Sequence, residues 1–218
     1  MILCLDSVLS TAEVAAMNET LADATFIDGT FSAGAGAAGK KHNQQLPPDN
    51  AHALALARKV ETALREHPVA AAAALPHRFS PIRFSRYQRD MAYGPHFDEA
   101  IIGGVRSDLS FTLFLSEPES YTGGELCITS PAGIETVRLD PGCAVLYPAG
   151  AIHEVLPVKQ GARLAAVGWI QSEVPDASAR EVLLELARVQ TSLPETAGQA
   201  RLQLGAIRAR LRRRWSQI

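Results

Sequence analysis

Apolar residues recur with two different periods along this chain, and the change from one to the other divides it. Near the start, Ser10-Thr-Ala-Glu13 has the form of a capping box, and Val14, Met17 and Leu21 follow at helical spacing. Behind Pro47-Pro48-Asp49, a second stripe of Ala53, Leu56, Ala57, Val60, Ala63 and Leu64 predicts an amphipathic helix ending near His67-Pro68. From about residue 79 the pattern shortens to strand-like runs: "RFSPIRFSRY", "DLSFTLFL", "GELCITS", "IETVRL", "CAVLYP", "HEVLPV" and "RLAAVGWIQS". Turn residues punctuate them, among them Thr122-Gly123-Gly124, Asp140-Pro-Gly142, Pro148-Ala-Gly150 and Lys159-Gln-Gly161. After Pro175-Asp176 helical spacing returns, with Val182, Leu183, Leu186 and Val189 on one face. Beyond Pro194 and Gly198, a further stripe carries Leu204, Ile207, Leu211 and Trp215.

Many short strands at close spacing predict a mainly β protein with helical flanks, its core a double-stranded β-helix or jelly roll. The expected division is an N-terminal helical region over residues 1–78 packed on the core, the jelly-roll core over 79–174, and a C-terminal helical extension over 175–218. The mouth of such a barrel is a natural ligand site.

Composition narrows the partners. With 218 residues, 47% hydrophobic and 20% charged, the chain can bury a full core. A formal net charge of −2 gives no electrostatic reason to expect nucleic acid or an anionic membrane. The basic "RARLRRRW" lies opposite an apolar stripe and reads as a solvated face. The N-terminal apolar run lacks a basic leader and is interrupted by Asp6 and Glu13, and no stretch approaches membrane-spanning length. Cys4, Cys127 and Cys143 are odd in number and widely spaced, which leads us to expect a reducing cytoplasm. A small molecule or a peptide is left as the substrate class; whether the chain forms a homo-oligomer is open.

Candidate chemistry begins with "GPHFDEA". In an extended strand, His96 and Asp98 point to one side and can offer an imidazole and a carboxylate to a single ion. His153, opening "HEVLPV", supplies a third ligand on a strand that a jelly roll can bring alongside. Two histidines and one carboxylate leave coordination positions open, the set associated with non-haem Fe(II) oxygenases. A closed zinc site would need a fourth ligand, and His42, His52, His67 and His77 fall in the N-terminal region. The competing reading of surface histidines beside a turn aspartate is favoured for each residue alone, and loses ground once Arg163 is added. Period two places Arg163, Ala165, Val167 and Trp169 on one face of the last strand. If that face lines the mouth, the guanidinium needs an anion, and a carboxylate suits its fork.

The stretches "RYQRDMAYGPHFDEA", "DLSFTLFLSEPESYTGGEL", "GCAVLYPAGAIHEVLPVKQGARLAAVGWIQS" and "KHNQQL" resemble the PKHD-type hydroxylases, within the prolyl 4-hydroxylase-like Fe(II)/2-oxoglutarate-dependent dioxygenases. The resemblance runs over nearly the whole chain. It implies that His96, Asp98 and His153 bind Fe(II), that Arg163 holds the distal carboxylate of 2-oxoglutarate, and that Tyr87 lies in the cosubstrate pocket. It further implies hydroxylation of a substrate C–H bond using O2, with release of succinate and CO2; a requirement for ascorbate is left open. Two positions depart from the family pattern: Gln88-Arg89-Asp90-Met91 replaces an acidic-glycine-methionine stretch, and Phe114 stands where some relatives have a second tyrosine. Tyr87 or Thr112 are the candidates to supply the missing hydrogen bond.

Other classes are weaker. A cupin-like metal-binding or sensor protein without turnover would share the barrel and the triad. "GAGAAGKK", residues 34–41, nearly matches a phosphate loop, but Lys41 replaces the hydroxyl residue and no helix start follows. Lys41, Asn43 and Gln44 are instead candidates for a lid or substrate-contacting loop.

Overall fold

The computed structural model describes residues 1–34 and 39–218. Its centre is a jelly roll of two antiparallel sheets. The larger runs in the order Leu3–Leu5, Ala144–Pro148, Leu109–Phe114, Arg163–Ser172, Arg83–Tyr87, Gln44–Gln45 and Ile27–Asp28, with Pro76–Phe79 also paired to Arg163–Ser172. The smaller runs Gly133–Val137, Leu126–Ser130, His153–Val155, Ala92–His96 and Lys41–His42.

The central Leu109–Phe114 strand shows how the sequence builds this. All of its residues are buried, which is why it lacks polar alternation. Leu109, Phe111 and Leu113 join Phe84, Leu146 and Ile170 in a core that also takes in Val14, Met17 and Leu21 of the helix Thr11–Ala22 and Leu56, Val60 and Leu64 of the helix Ala51–Glu66. Each such side chain contributes about 1.5–3 kcal/mol on burial. Ser110, Thr112 and Phe114 alternate with them and point to the opposite side, where Ser110 and Thr112 line a cavity between the sheets. The helices thus close one face of the larger sheet and leave the other for the site.

The caps explain where the helices begin. Ser10 accepts from the Glu13 backbone N–H while the Glu13 carboxylate accepts from the Ser10 backbone N–H, completing the expected box. Asn50 caps Ala51–Glu66 through the backbone N–H groups of His52 and Ala53.

Several features differ from the sequence reading; Lys159-Gln-Gly161, expected as a turn, lies in the strand Val158–Gly161, paired with Tyr121–Gly123. His67-Pro68 ends one helix but also starts another, Pro68–Ala74, because proline suits the first turn and the His67 ring accepts from Ala70 N–H. The N-terminal segment carries strands as well as helices: Leu3–Leu5, Ile27–Asp28, Lys41–His42 and Gln44–Gln45 extend the two sheets. In the C-terminal helix Ala177–Ser192 the buried face is Ala179, Arg180, Leu183, Leu184 and Ala187, whereas Val182 and Val189 are exposed. The helix Gly198–Trp215 has no fully buried residue; Leu211 and Trp215 lean on a small cluster of Leu75, Val174, Ala179 and Leu183.

Candidate active site

The smaller sheet brings the triad together by register. His153 is the direct cross-strand partner of His96, and their ring centroids are 4.2 Å apart. Each imidazole is oriented by the backbone two residues before it: the carbonyl of Gly94 lies 2.9 Å from His96 Nδ1, and that of Ala151 lies 2.9 Å from His153 Nδ1. A proton on Nδ1 donated to the carbonyl leaves the Nε2 lone pair of each ring free, the tautomer a metal ligand requires. Tyr93 stacks on His96 at 3.6 Å and Tyr147 meets His153 edge-on at 5.0 Å, so aromatic walls also fix both rings.

Asp98 reaches the same point by a different route. The strand ends at His96, and the Asp98 backbone N–H donates to the carbonyl of Ala149 in the turn that precedes His153. The Asp98 carboxylate then accepts from Ser110 Oγ at 2.6 Å and lies 3.7 Å from His153 Nε2. Ligand atoms of His96, Asp98 and His153 all fall within 4.8 Å of one another. Burial first, and then the neighbouring His153, push the His96 imidazole down to about 4, so it is neutral and available as a ligand near pH 7. Two imidazoles and one carboxylate fit a first-row divalent metal and leave coordination positions free.

Arg163 opens the strand Arg163–Ser172 opposite Tyr87 and is 1% exposed. Its Nε and Nη2 have no hydrogen-bond partner among the described residues, while the guanidinium lies over the rings of Tyr87 at 5.4 Å and Phe114 at 5.2 Å. A buried cation with orphaned donors calls for an anion. Gly124, at φ +71°, lets the chain pass close by: a Cβ there would sit 2.8 Å from Val158 Cγ2 and 3.2 Å from Arg163 Cδ. The expected turn at Gly123-Gly124 is instead a strand end: Gly123 closes the strand Tyr121–Gly123, paired with Val158 across a register shift, and Gly124 follows it against the arginine.

The triad and Arg163 share one cavity of about 350 Å³, within the range of small-molecule sites. Tyr87, Thr112 and Tyr147 line it as well, and burial raises the pKa values of both tyrosines and keeps their hydroxyls protonated. Of the three residues suggested for a lid or substrate contact, only Lys41 reaches the cavity among the described residues. Asn43 is buried beside Gly29, and Gln44 accepts from Arg86 Nε at 2.9 Å. Part of the glycine-rich stretch, residues 35–38, lies outside the described residues; beyond it the chain enters the strand Lys41–His42 rather than a helix. Tyr93, Tyr147, Ser110 and Arg83 were not singled out from the sequence.

A jelly roll with two histidines, a carboxylate and a buried arginine converging on one cavity defines the class of 2-oxoglutarate- and Fe(II)-dependent oxygenases. The comparisons agree. Residues 82–171 match the 2OG-Fe(II) oxygenase superfamily. A PKHD-type hydroxylase of Acaryochloris marina is 46% identical over 91% of each chain, and one of Shewanella baltica is 41% identical over the full length of both. The fold is similar to that of a Pseudomonas putida prolyl-4-hydroxylase, with a TM-score of 0.53 and 21% identity over 78% of this chain and 92% of that one. The chain belongs to the PKHD-type hydroxylase family. It is an Fe(II)- and 2-oxoglutarate-dependent dioxygenase that hydroxylates its substrate with release of succinate and CO2. Among the described residues no helix is long and apolar enough to cross a membrane.

Proposed function

We propose that His96 and His153 through Nε2, and Asp98 through its carboxylate, hold the Fe(II), and that Arg163 receives the distal carboxylate of 2-oxoglutarate. The convergence of three ligand atoms on one point, with both Nδ1 atoms already committed to backbone carbonyls, is the observation that carries the assignment. When bound, the iron supplies the activation of O2 that couples oxidative decarboxylation of 2-oxoglutarate to hydroxylation of an unactivated C–H bond.

The protein's own residues bind, orient and shield. Ser110 directs the Asp98 oxygen by donating to it, and Tyr93 and Tyr147 hold the imidazole planes. Arg163, pressed between Tyr87 and Phe114, offers Nε and Nη2 as a preorganised fork for a carboxylate. Tyr87 adds a protonated hydroxyl beside it. The substrate, a small molecule or a peptide segment, enters past Phe31, Phe97 and Ile101, which are exposed on the cavity rim.

In this reading residues 79–174 form the catalytic core, 1–78 shield its outer face and lend Lys41 to the cavity, and 175–218 brace the far end. The three cysteines are all free, which favours a reducing cytoplasm. The test is an anaerobic titration of the metal-free protein with Fe(II) and then 2-oxoglutarate. The expected result is the weak visible absorption band of a keto acid chelating Fe(II), lost in His96→Ala. Iron binding without that band would make the protein a metal-binding module. Succinate formation with and without ascorbate then decides whether a reductant is required.

A further inference from the structure

The cavity holds a second group of donors, distinct from Arg163: two cations without a carboxylate partner among the described residues, and an indole N–H without an acceptor. Lys41 is 6% exposed, its Nζ donating to Ser32 Oγ at 2.5 Å and lying 5.2 Å over the Tyr93 ring. Arg83 donates from Nη1 to the Ser32 carbonyl at 3.2 Å and lies 4.9 Å over the Trp169 ring. The two cations therefore grip opposite ends of one residue. Neither forms an ion pair with a carboxylate among the described residues. Trp169, 7% exposed, adds an indole Nε1–H that is buried with no acceptor. All three side chains line the cavity.

Two adjacent cations, Lys41 buried and Arg83 half-buried, repel each other and have lost hydration, so the arrangement is costly unless an anion joins it. The carboxylates nearby do not fill that role. Asp98 is turned to Ser110 and His153, and Glu99 is exposed at the rim. 2-Oxoglutarate at Arg163 does not fill it either. Arg83 pairs with Val167, four residues or about 13 Å along the strand from Arg163, and its guanidinium leans further away, over Trp169. A five-carbon diacid spans less than two extended residues, under about 7 Å. Ser110, which orients Asp98, is the cross-strand partner of Trp169, so this cluster sits beside the metal triad. The rim outside it carries three exposed apolar side chains, Phe31, Phe97 and Ile101, beside Glu99.

We propose that Lys41, Arg83 and the Trp169 indole form the specificity site for the hydroxylated substrate, and that they select a substrate carrying a carboxylate next to an apolar body. The assignment rests on the triad and Arg163 serving iron and 2-oxoglutarate, and its test separates the two. Protein loaded anaerobically with Fe(II) and saturating 2-oxoglutarate is titrated with paired probes, N-acetyl-leucine against N-acetyl-leucinamide and the corresponding phenylalanine and valine pairs. Binding is read by calorimetry and by tryptophan fluorescence.

The expected result is an acid bound at least tenfold tighter than its amide in one or more pairs, without displacement of 2-oxoglutarate. That preference is lost in Lys41→Met and in Arg83→Met. Equal binding of acid and amide, no binding of any probe, or acid binding that competes with 2-oxoglutarate would each overturn the proposal. The wild-type comparison stands even if a variant does not fold. Absence of the Fe(II)–2-oxoglutarate absorption band in the same sample instead overturns the reading of the triad and Arg163.

Discussion

His96 and His153 face each other across one antiparallel strand pair, each with Nδ1 held by the carbonyl two residues earlier in the chain, Gly94 and Ala151. Pairing and tautomer are thus set by backbone, before any metal arrives. His96→Ala, Asp98→Ala or His153→Ala should each abolish iron-dependent turnover; wild-type rates in His153→Ala would remove the triad. Ser110→Ala is the finer probe. It leaves the ligands but frees the carboxylate that Ser110 Oγ holds at 2.6 Å, and such outer partners are worth about 10–100-fold in metal affinity. Competition with a chromophoric Fe(II) chelator under anaerobic conditions measures this directly.

Arg163 carries opposite consequences for binding and for stability. Removing one partner of a buried charge pair costs about 2–5 kcal/mol, so Arg163→Met should raise the 2-oxoglutarate concentration for half-saturation by about 30-fold or more. Without 2-oxoglutarate the same change removes a buried cation with two orphaned nitrogens, and the variant should melt at or above the wild-type temperature. Adding 2-oxoglutarate should then raise the melting temperature of the wild type well beyond that of the variant. Equal protection of the two proteins would mean that Arg163 serves something else.

How much of this was legible follows from what each feature needs. His96, Asp98, His153 and Arg163 stood out as candidates because metal and carboxylate recognition accept few residue types, and because "RLAAVGWIQS" is a clean strand on which Arg163, Val167 and Trp169 of one face line the cavity. Tyr147 was not found: "AVLYP" is buried throughout the run up to Tyr147, so no polar alternation marks which face looks inward. The two-residue strands at Lys41 and Gln44 are too short to show any period. Pro68 carries two meanings, stop and first helical residue, and only the His67 cap decides between them. In Ala177–Ser192 the apolar residues satisfy helical spacing on two neighbouring faces. Packing against Leu75 and Val174, rather than periodicity, chose Leu183 over Val182.

Gly124 offers a test of packing behind the cosubstrate site. At φ +71° a side chain is strained by about 1–2 kcal/mol, and the added Cβ would press on Val158 and Arg163. Gly124→Ala should lower stability by about that amount. It should also weaken 2-oxoglutarate binding while leaving Fe(II) affinity close to wild type, since Gly124 packs on Arg163 and Val158 and not on the triad. A change in stability alone would show that Arg163 does not depend on Gly124 for its position.

Lys41 gives the pH dependence its sign. Burial, and then the Arg83 charge, push its amine down to about 7, against weaker opposing pulls from Asp98 and Asp28; the Tyr93 ring lies beneath it. Below pH 7 the lysine is protonated in both folded and unfolded chains, and the folded protein bears the full cost of a buried ammonium. Between about 7 and 10.5 the folded protein sheds a proton that the unfolded chain keeps, so the unfolded state binds more protons and stability rises with pH. Lys41→Met removes that linkage. Its advantage over the wild type in urea denaturation without ligands should therefore be largest at pH 6.5 and shrink steadily toward pH about 9.5. Taking the difference between the two proteins cancels the other titrating groups. A gap independent of pH would mean that Lys41 keeps its proton in the folded state throughout this range.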